Sequence, residues 1–298
     1  MPILHDFPTI KDYNDFLGVE TKHPLVSVVN MSDLDYMTRG LHRFAFYCIY
    51  LKDILCGPMQ YGKSVYDYEE GTLICIGPNQ ISGCEKEEIV PASKGWILMF
   101  HPDLFLGTPF TGNMHEFHYF SYTSNEALHM SEDEKMAVER SLMNIKAELD
   151  HPTDNQTKAI LASNIEVFLL TCKRFYDRQF KTRELENKTI INRFESLLDH
   201  YFTSKEARRN GLPSVAMCAS KVNLSANYFG DLVKKETGHN AQEYIQRVII
   251  DRAKEQLFDS SLTVSEIAYD LGFKYPHHLS RMFKKVTGMT PVEYRAAN

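Results

Sequence analysis

Apolar positions in the first 125 residues come in short runs rich in Val, Ile, Tyr and Phe, at 41–51, 72–76 and 96–101. The motifs Cys56-Gly57-Pro58 and Gly77-Pro78-Asn79 separate them. Runs of this length punctuated by turn formers predict an antiparallel sheet or barrel. At Ser131 the period changes. Ser131-Glu132-Asp133-Glu134 has the composition of a capping box, and Val138, Leu142, Ile145 and Leu149 then recur at helical spacing. His151-Pro152-Thr153-Asp154-Asn155 ends that helix, and Leu161, Ile165, Phe168, Leu169, Cys172, Phe175 and Tyr176 make a second stripe at near-heptad spacing. Two readings of this pair stand: it packs on the sheet, or its second stripe is a seam between two copies of the chain. Residues 177–187 carry no apolar periodicity and predict a connector.

Beyond the connector the pattern repeats. Residues 227–247 and 277–297 align without a gap at an offset of 50. Lys234, Lys235, Thr237, Gly238, Glu243 and Tyr244 recur as Lys284, Lys285, Thr287, Gly288, Glu293 and Tyr294. Phe229, Leu232 and Val233 recur in kind as Leu279, Met282 and Phe283. Self-similarity over this length means two copies of one supersecondary unit.

Each unit can be assembled from local signals. In the second, Thr263-Val264-Ser265-Glu266 is a capping box, Ile267, Ala268 and Leu271 form the buried face, and Gly272 stands where a left-handed residue ends a helix. Pro276 suits the first position of the next helix, with Leu279 and Phe283 inward and His277, His278, Ser280, Arg281 and Lys284 outward. In the first, Ser214 caps a short helix through Ala219, and Val222-Asn223-Leu224 turns the chain. Ser225 then caps a helix with Phe229, Leu232 and Val233 inward and Asn227, Tyr228, Gly230, Asp231 and Lys234 outward. A helix, a short turn and a second helix with a polar outer face is a helix-turn-helix. Between the copies, residues 241–258 predict a rod of roughly 27 Å capped by Asn240. Such a rod can hold two recognition helices about 34 Å apart, one turn of DNA.

These residues resemble the AraC/XylS family of bacterial regulators, over roughly residues 190–295. The likeness is most specific in Ile267-Ala268-Tyr269-Asp270-Leu271-Gly272-Phe273, in Ser280-Arg281-Met282-Phe283-Lys284-Lys285, and in Thr287-Gly288-Met289-Thr290-Pro291-Val292-Glu293-Tyr294-Arg295. The resemblance implies a multidomain α+β chain. Residues 1–125 are expected to form a cupin-like β-barrel that senses a small-molecule effector. Residues 126–187 are expected as a helical dimerisation segment and linker, and 188–298 as an all-α domain with two helix-turn-helix motifs. The implied partners are double-stranded DNA, a second copy of the chain and RNA polymerase. Arg281 fits a bidentate grip on guanine O6 and N7, or else a phosphate contact or a plain surface residue. His277 and His278 fit donors to bases or backbone, or a merely exposed pair. Lys234, Lys235, Lys284 and Lys285 fit partly phosphate contacts and partly solvated faces. Many relatives carry a Ser-Arg pair in the first recognition helix as in the second. Here those places hold Gly230 and Asp231, and a carboxylate repels phosphates although it can accept from a cytosine N4 amino group.

Composition narrows the picture further. At 298 residues, with 43% apolar and 24% charged residues, the chain is expected to hold two or three folded units. The start Met-Pro-Ile-Leu-His-Asp lacks a signal-peptide pattern, and no run approaches 18 uncharged apolar residues, so no membrane span is expected. Cysteines at 48, 56, 75, 84, 172 and 218 form no Cys-x-x-Cys pair, which points to a reducing, cytoplasmic setting without a disulfide or zinc scaffold. The net charge of −6 hides an asymmetry. Residues 187–298 hold 16 Lys+Arg against 12 Asp+Glu, and the first 186 hold 17 against 27. Phosphate contacts need local rather than global positive charge.

Other chemistries are less well supported. His101, His115 and His118 read as surface residues, since no His-x-His segment exists for a cupin metal site. Tyr47, Tyr61, Tyr66, Tyr68 and Trp96 fit a ligand pocket or plain core. No catalytic residue, metal ligand or cofactor is assigned. The alternatives are a cupin-type enzyme or a DNA-repair protein with an accessory DNA module, and the Pro-Cys-His-Arg segment that repair chemistry would use is missing. An architectural binder without specificity would be expected to carry more positive charge.

Overall fold

A computed structural model describes residues 3–52, 59–61, 64–66, 71–108, 114–122 and 126–297. Residues 56–58, Tyr68, Gly112 and Asn113 lie outside these, as do the side chains of Tyr61, Tyr66 and His115. The chain divides into two compact units, Met1–Thr182 and Arg183–Asn298.

The first unit opens with β1 (Leu4–Phe7) and α1 (Ile10–Leu17), followed by β2 (Val26–Asn30), β3 (Tyr36–Phe44), β4 (Tyr47–Lys52), β5 (Met59–Tyr61), β6 (Ser64–Tyr66), β7 (Thr72–Ile76), β8 (Ile81–Pro91), β9 (Gly95–Phe100) and β10 (Leu128–His129). The helices α2 (Glu132–Asp150) and α3 (Thr157–Thr182) complete it. The single apolar run at 41–51 is two strands, β3 and β4, turning at Ala45 and Phe46. Five strands pair antiparallel in the order β10-β7-β4-β9-β2, and β1-β3-β8 form a second sheet in which β1 runs parallel to β3. A short ribbon joins β5 and β6.

The expected closed barrel is not seen among the described residues; the strands form separate open sheets. Side chains of α3 account for one edge. Gln179 donates to the Ala127 carbonyl at 3.2 Å and accepts from the His129 backbone N–H at 2.8 Å, while Arg178 donates to the His129 carbonyl at 2.6 Å. These bonds occupy backbone groups that a further strand beside β10 would use. Phe7, Tyr13, Phe44, Phe46, Ile97 and Met99 share the core beneath α1, and Tyr13 and Tyr50 join hydroxyls at 2.6 Å. Tyr47 is half-buried and stacks on the buried Phe100 at 5.0 Å between ring centres.

The Ser131–Glu134 capping box forms as its spacing predicts, and Asp154 caps α3 through the Gln156 and Thr157 N–H groups. Of the two readings of the helical pair, packing accounts for the stripe: Leu161, Ile165, Phe168, Leu169 and Cys172 are at most 1% exposed within the single chain. They are core, and the seam assigned to them is corrected. The same helix leaves Val167 58% and Leu170 51% exposed on its other side. Among the described residues no helix is long and apolar enough to cross a membrane.

The second unit is all helical: α4 (Glu184–Thr203), α5 (Glu206–Asn210), α6 (Val215–Lys221), α7 (Ala226–Thr237), α8 (Ala241–Leu257), α9 (Val264–Asp270), α10 (Pro276–Thr287) and α11 (Pro291–Ala297). The connector expected at 177–187 is helix on both sides of Arg183, because helical backbone bonds persist without an apolar stripe when flanking turns are packed. Phe194 of α4 meets Phe229 of α7 edge to face at 4.9 Å, and Tyr244 of α8 at 5.4 Å. Arg295 of α11 donates to the Leu257 carbonyl at 2.9 Å, closing the end of α8 with a cation.

Candidate nucleic-acid interface

The sequence repeat is reproduced bond for bond. Thr237 donates to the Val233 carbonyl at 2.7 Å and accepts from the His239 N–H at 3.3 Å. Thr287 does the same with the Phe283 carbonyl at 2.8 Å and the Met289 N–H at 3.3 Å. Gly238 and Gly288 take left-handed φ of 76° and 83° and return their N–H groups to the Lys234 and Lys284 carbonyls, both at 2.9 Å. The next helix starts with Asn240 paired to Glu243 in one copy and Thr290 paired to Glu293 in the other. The Thr290 bonds, backbone first and then side chain, hold the Glu293 carboxyl below its ordinary range. The shared Thr-Gly and Glu-Tyr are therefore stop and start signals, present in both copies because each copy must turn at the same place.

The preceding turns differ. Leu224 N–H bonds the Ala219 carbonyl at 3.0 Å, and Phe273 N–H bonds the Ala268 carbonyl at 2.9 Å, so α6 and α9 end alike at an offset of 49. The left-handed residue is Asn223 (φ 61°) in the first and Gly272 (φ 91°) in the second. One extra residue then enters the second turn, restoring the offset of 50 for α7 and α10. Ser225 caps α7 by accepting from the Tyr228 N–H at 3.2 Å, whereas Tyr275 stands before α10 without a side-chain cap. Gly272 is further confined, because a Cβ there would lie 2.7 Å from the Ala207 carbonyl oxygen and 2.8 Å from that of Gly211.

On the outer face of α10, His277, His278, Arg281 and Lys284 are exposed and Ser280 is half-buried. Their spacing puts them on one side of the helix, opposite the buried Leu279 and Phe283. The rings of His277 and His278 lie 4.2 Å apart, and Tyr275 stacks beside His277 at 5.7 Å. Lys274 sits over the Tyr275 ring at 5.6 Å. Tyr275 and Lys274 were not among the residues singled out from the sequence. The available signal was a tyrosine at a cap position where Ser, Thr, Asn or Asp is usual. On α7, Asn227 and Lys234 are exposed and Asp231 is half-buried. Tyr228, expected outward, is fully buried. It stands four residues before Leu232 and beside Phe229, so the buried face of α7 is wider than its counterpart on α10, and Tyr228 is corrected to core.

In the first unit, His101 accepts from the Asp103 N–H at 3.2 Å and His118 is exposed. Among the described residues no three His, Cys, Asp or Glu side chains gather to hold a metal ion.

Residues 218–297 match a family model described as a helix-turn-helix domain. The chain is 40% identical over 74 residues to the uncharacterized transcriptional regulatory protein YesN of Bacillus subtilis (strain 168), covering 24% of this chain and 20% of that one. It is 27% identical over 104 residues to the HTH-type transcriptional activator RhaR of Escherichia coli O1:K1 / APEC, covering 35% of this chain and 37% of that one. It thus spans well under half the length of these relatives. A similar solved structure is the C-terminal domain of AraT, a response regulator from Geobacillus stearothermophilus, 25% identical with a TM-score of 0.33 over 37% of this chain and 85% of that one. The second unit is a double helix-turn-helix DNA-binding module. In that module the chain is similar to regulators of the AraC/XylS family.

Proposed function

We propose that the chain is a sequence-specific transcription regulator that places α7 and α10 in successive major grooves on one face of DNA. The single observation carrying this reading is the outer face of α10, where His277, His278, Ser280, Arg281 and Lys284 line up with no acidic residue among them. Arg281 is assigned to a base edge and Lys234 and Lys284 to phosphates, with Asn227 and Asp231 facing the groove from α7. The 17 residues of α8 give a rod of about 25 Å, enough with the flanking units to span one helical turn.

In the same reading the first unit is a cupin-like sensor of a small-molecule effector, not an enzyme. Two copies pair through the outer faces of α2 and α3, where Val167 and Leu170 are exposed, and the protein acts in the cytoplasm beside RNA polymerase. The test is selection of bound fragments from the source genome by the intact protein, followed by footprinting. Fragments sharing a sequence, protected in two adjacent major grooves about one turn apart, support the reading. Retention of unrelated fragments in proportion to their length would overturn it.

A further inference from the structure

The second unit holds five glycines, at 211, 230, 238, 272 and 288, and four of them have left-handed φ that a side chain would strain. Gly230 is the exception. It is the fifth of the twelve residues of α7, inside the helix, with ordinary helical backbone. A Cβ built on it meets nothing within 4 Å. The fold therefore gives no reason for glycine here, and alanine would form the helix better. The position lies on the outer face with Asn227, Asp231 and Lys234, one turn from each end of that row, and its counterpart in the second copy is Ser280. A glycine that weakens a helix while facing open solvent fits a second backbone or base edge coming against it.

We propose that Gly230 is the point of closest approach between the first helix-turn-helix and DNA. Without a side chain there, α7 seats deeper in its groove than α10, which brings the short side chains of Asn227 and Asp231 to the base edges. Depth of insertion would then do in the first copy what the long Arg281 does in the second. This inference rests on the reading of α7 as a recognition helix.

The experiment uses the full chain with Gly230→Ala and Gly230→Leu, measuring melting temperature and affinity for the selected duplex and a scrambled one. The proposal expects Gly230→Ala to raise the melting temperature by about 2 to 4 °C. It expects affinity for the selected duplex to fall about tenfold with Ala and about a hundredfold with Leu, both proteins remaining folded. Two results overturn it: unchanged affinity in both variants, or a lower melting temperature in Gly230→Ala, which would give the glycine a role in the fold. A wild-type protein that prefers no duplex sinks the regulator reading as well, so the two failures are told apart by the wild-type control.

Discussion

Arg281 and Lys284 sit one turn apart on the same exposed face of α10, and the proposed function gives them different work. A guanidinium presents a planar fork that matches guanine O6 and N7, while an ammonium is a point charge suited to phosphate. Arg281→Ala is expected to lose about 1 to 3 kcal/mol on the preferred site and to relax preference at one or two base pairs. Lys284→Ala is expected to weaken all duplexes alike and to reduce the salt slope by about one. Binding to specific and scrambled duplexes across a salt series separates the two. Equal losses on both duplexes for Arg281→Ala would make it a phosphate clamp. At this scale most of the outer face was legible, because one anchor pair, Leu279 and Phe283, fixes the rotation of α10. Tyr228 was misplaced because matching it to exposed His278 ignored its own phase with Leu232.

At the scale of the element, what could be read from sequence was what is decided locally. Caps at Ser131, Ser214, Ser225, Asn240 and Thr263 form where their spacing predicts, since each needs only residues three apart. Sheet order was not legible, because the parallel pairing of β1 with β3 and the closing of the β10 edge by Gln179 join residues far apart in sequence. Gly272 shows local and distant demands meeting. Gly272→Ala adds a strained φ and a clash with the Ala207 carbonyl, and is expected to cost at least about 1 to 3 kcal/mol in urea unfolding. Asn223→Ala, at the equivalent exposed turn, lacks the clash and is expected to cost less. Equal costs would mean that the approach of α5 to this turn is not what demands glycine.

The seat of β1 and α1 on β3 yields a pH prediction. His42 on β3 is ringed by Phe7, Tyr13, Phe16 and Phe44, its Nε2 is buried without a hydrogen-bond partner, and burial, then nearby His5, lowers its pKa to about 4 against a weaker pull from Glu87. The imidazole is therefore neutral in the fold, while the unfolded chain takes up a proton near 6.5. Stability is full above 6.5 and falls as pH drops toward 4, by about 2 kcal/mol at pH 5. Replacing the ring with one that cannot titrate removes this component. Urea midpoints of His42→Phe and wild type are expected to diverge between pH 7 and 5, and parallel curves would count against the assignment.

For the whole molecule, the chain divides into the compact units Met1–Thr182 and Arg183–Asn298, and the proposed function assigns sensing and pairing to the first and DNA binding to the second. Each unit has its own buried core, so residues 183–298 are expected to fold alone as a monomer and still bind DNA. Under the proposed pairing, intact protein should bind more tightly, because a second contact becomes intramolecular. The stripe on α3 is where the sequence misled: heptad-like spacing marks burial without saying against what, and Ile165 is fully buried within the single chain. Ile165→Asp is therefore expected to unfold the first unit. Val167→Asp, on the exposed side, is expected to leave melting unchanged, shift the protein to monomer in sedimentation, and lower affinity toward that of the 183–298 fragment. A Val167→Asp protein that stays dimeric and binds like wild type would remove this face as the pairing surface. A fragment that binds as tightly as the intact protein would remove pairing itself from the account of affinity.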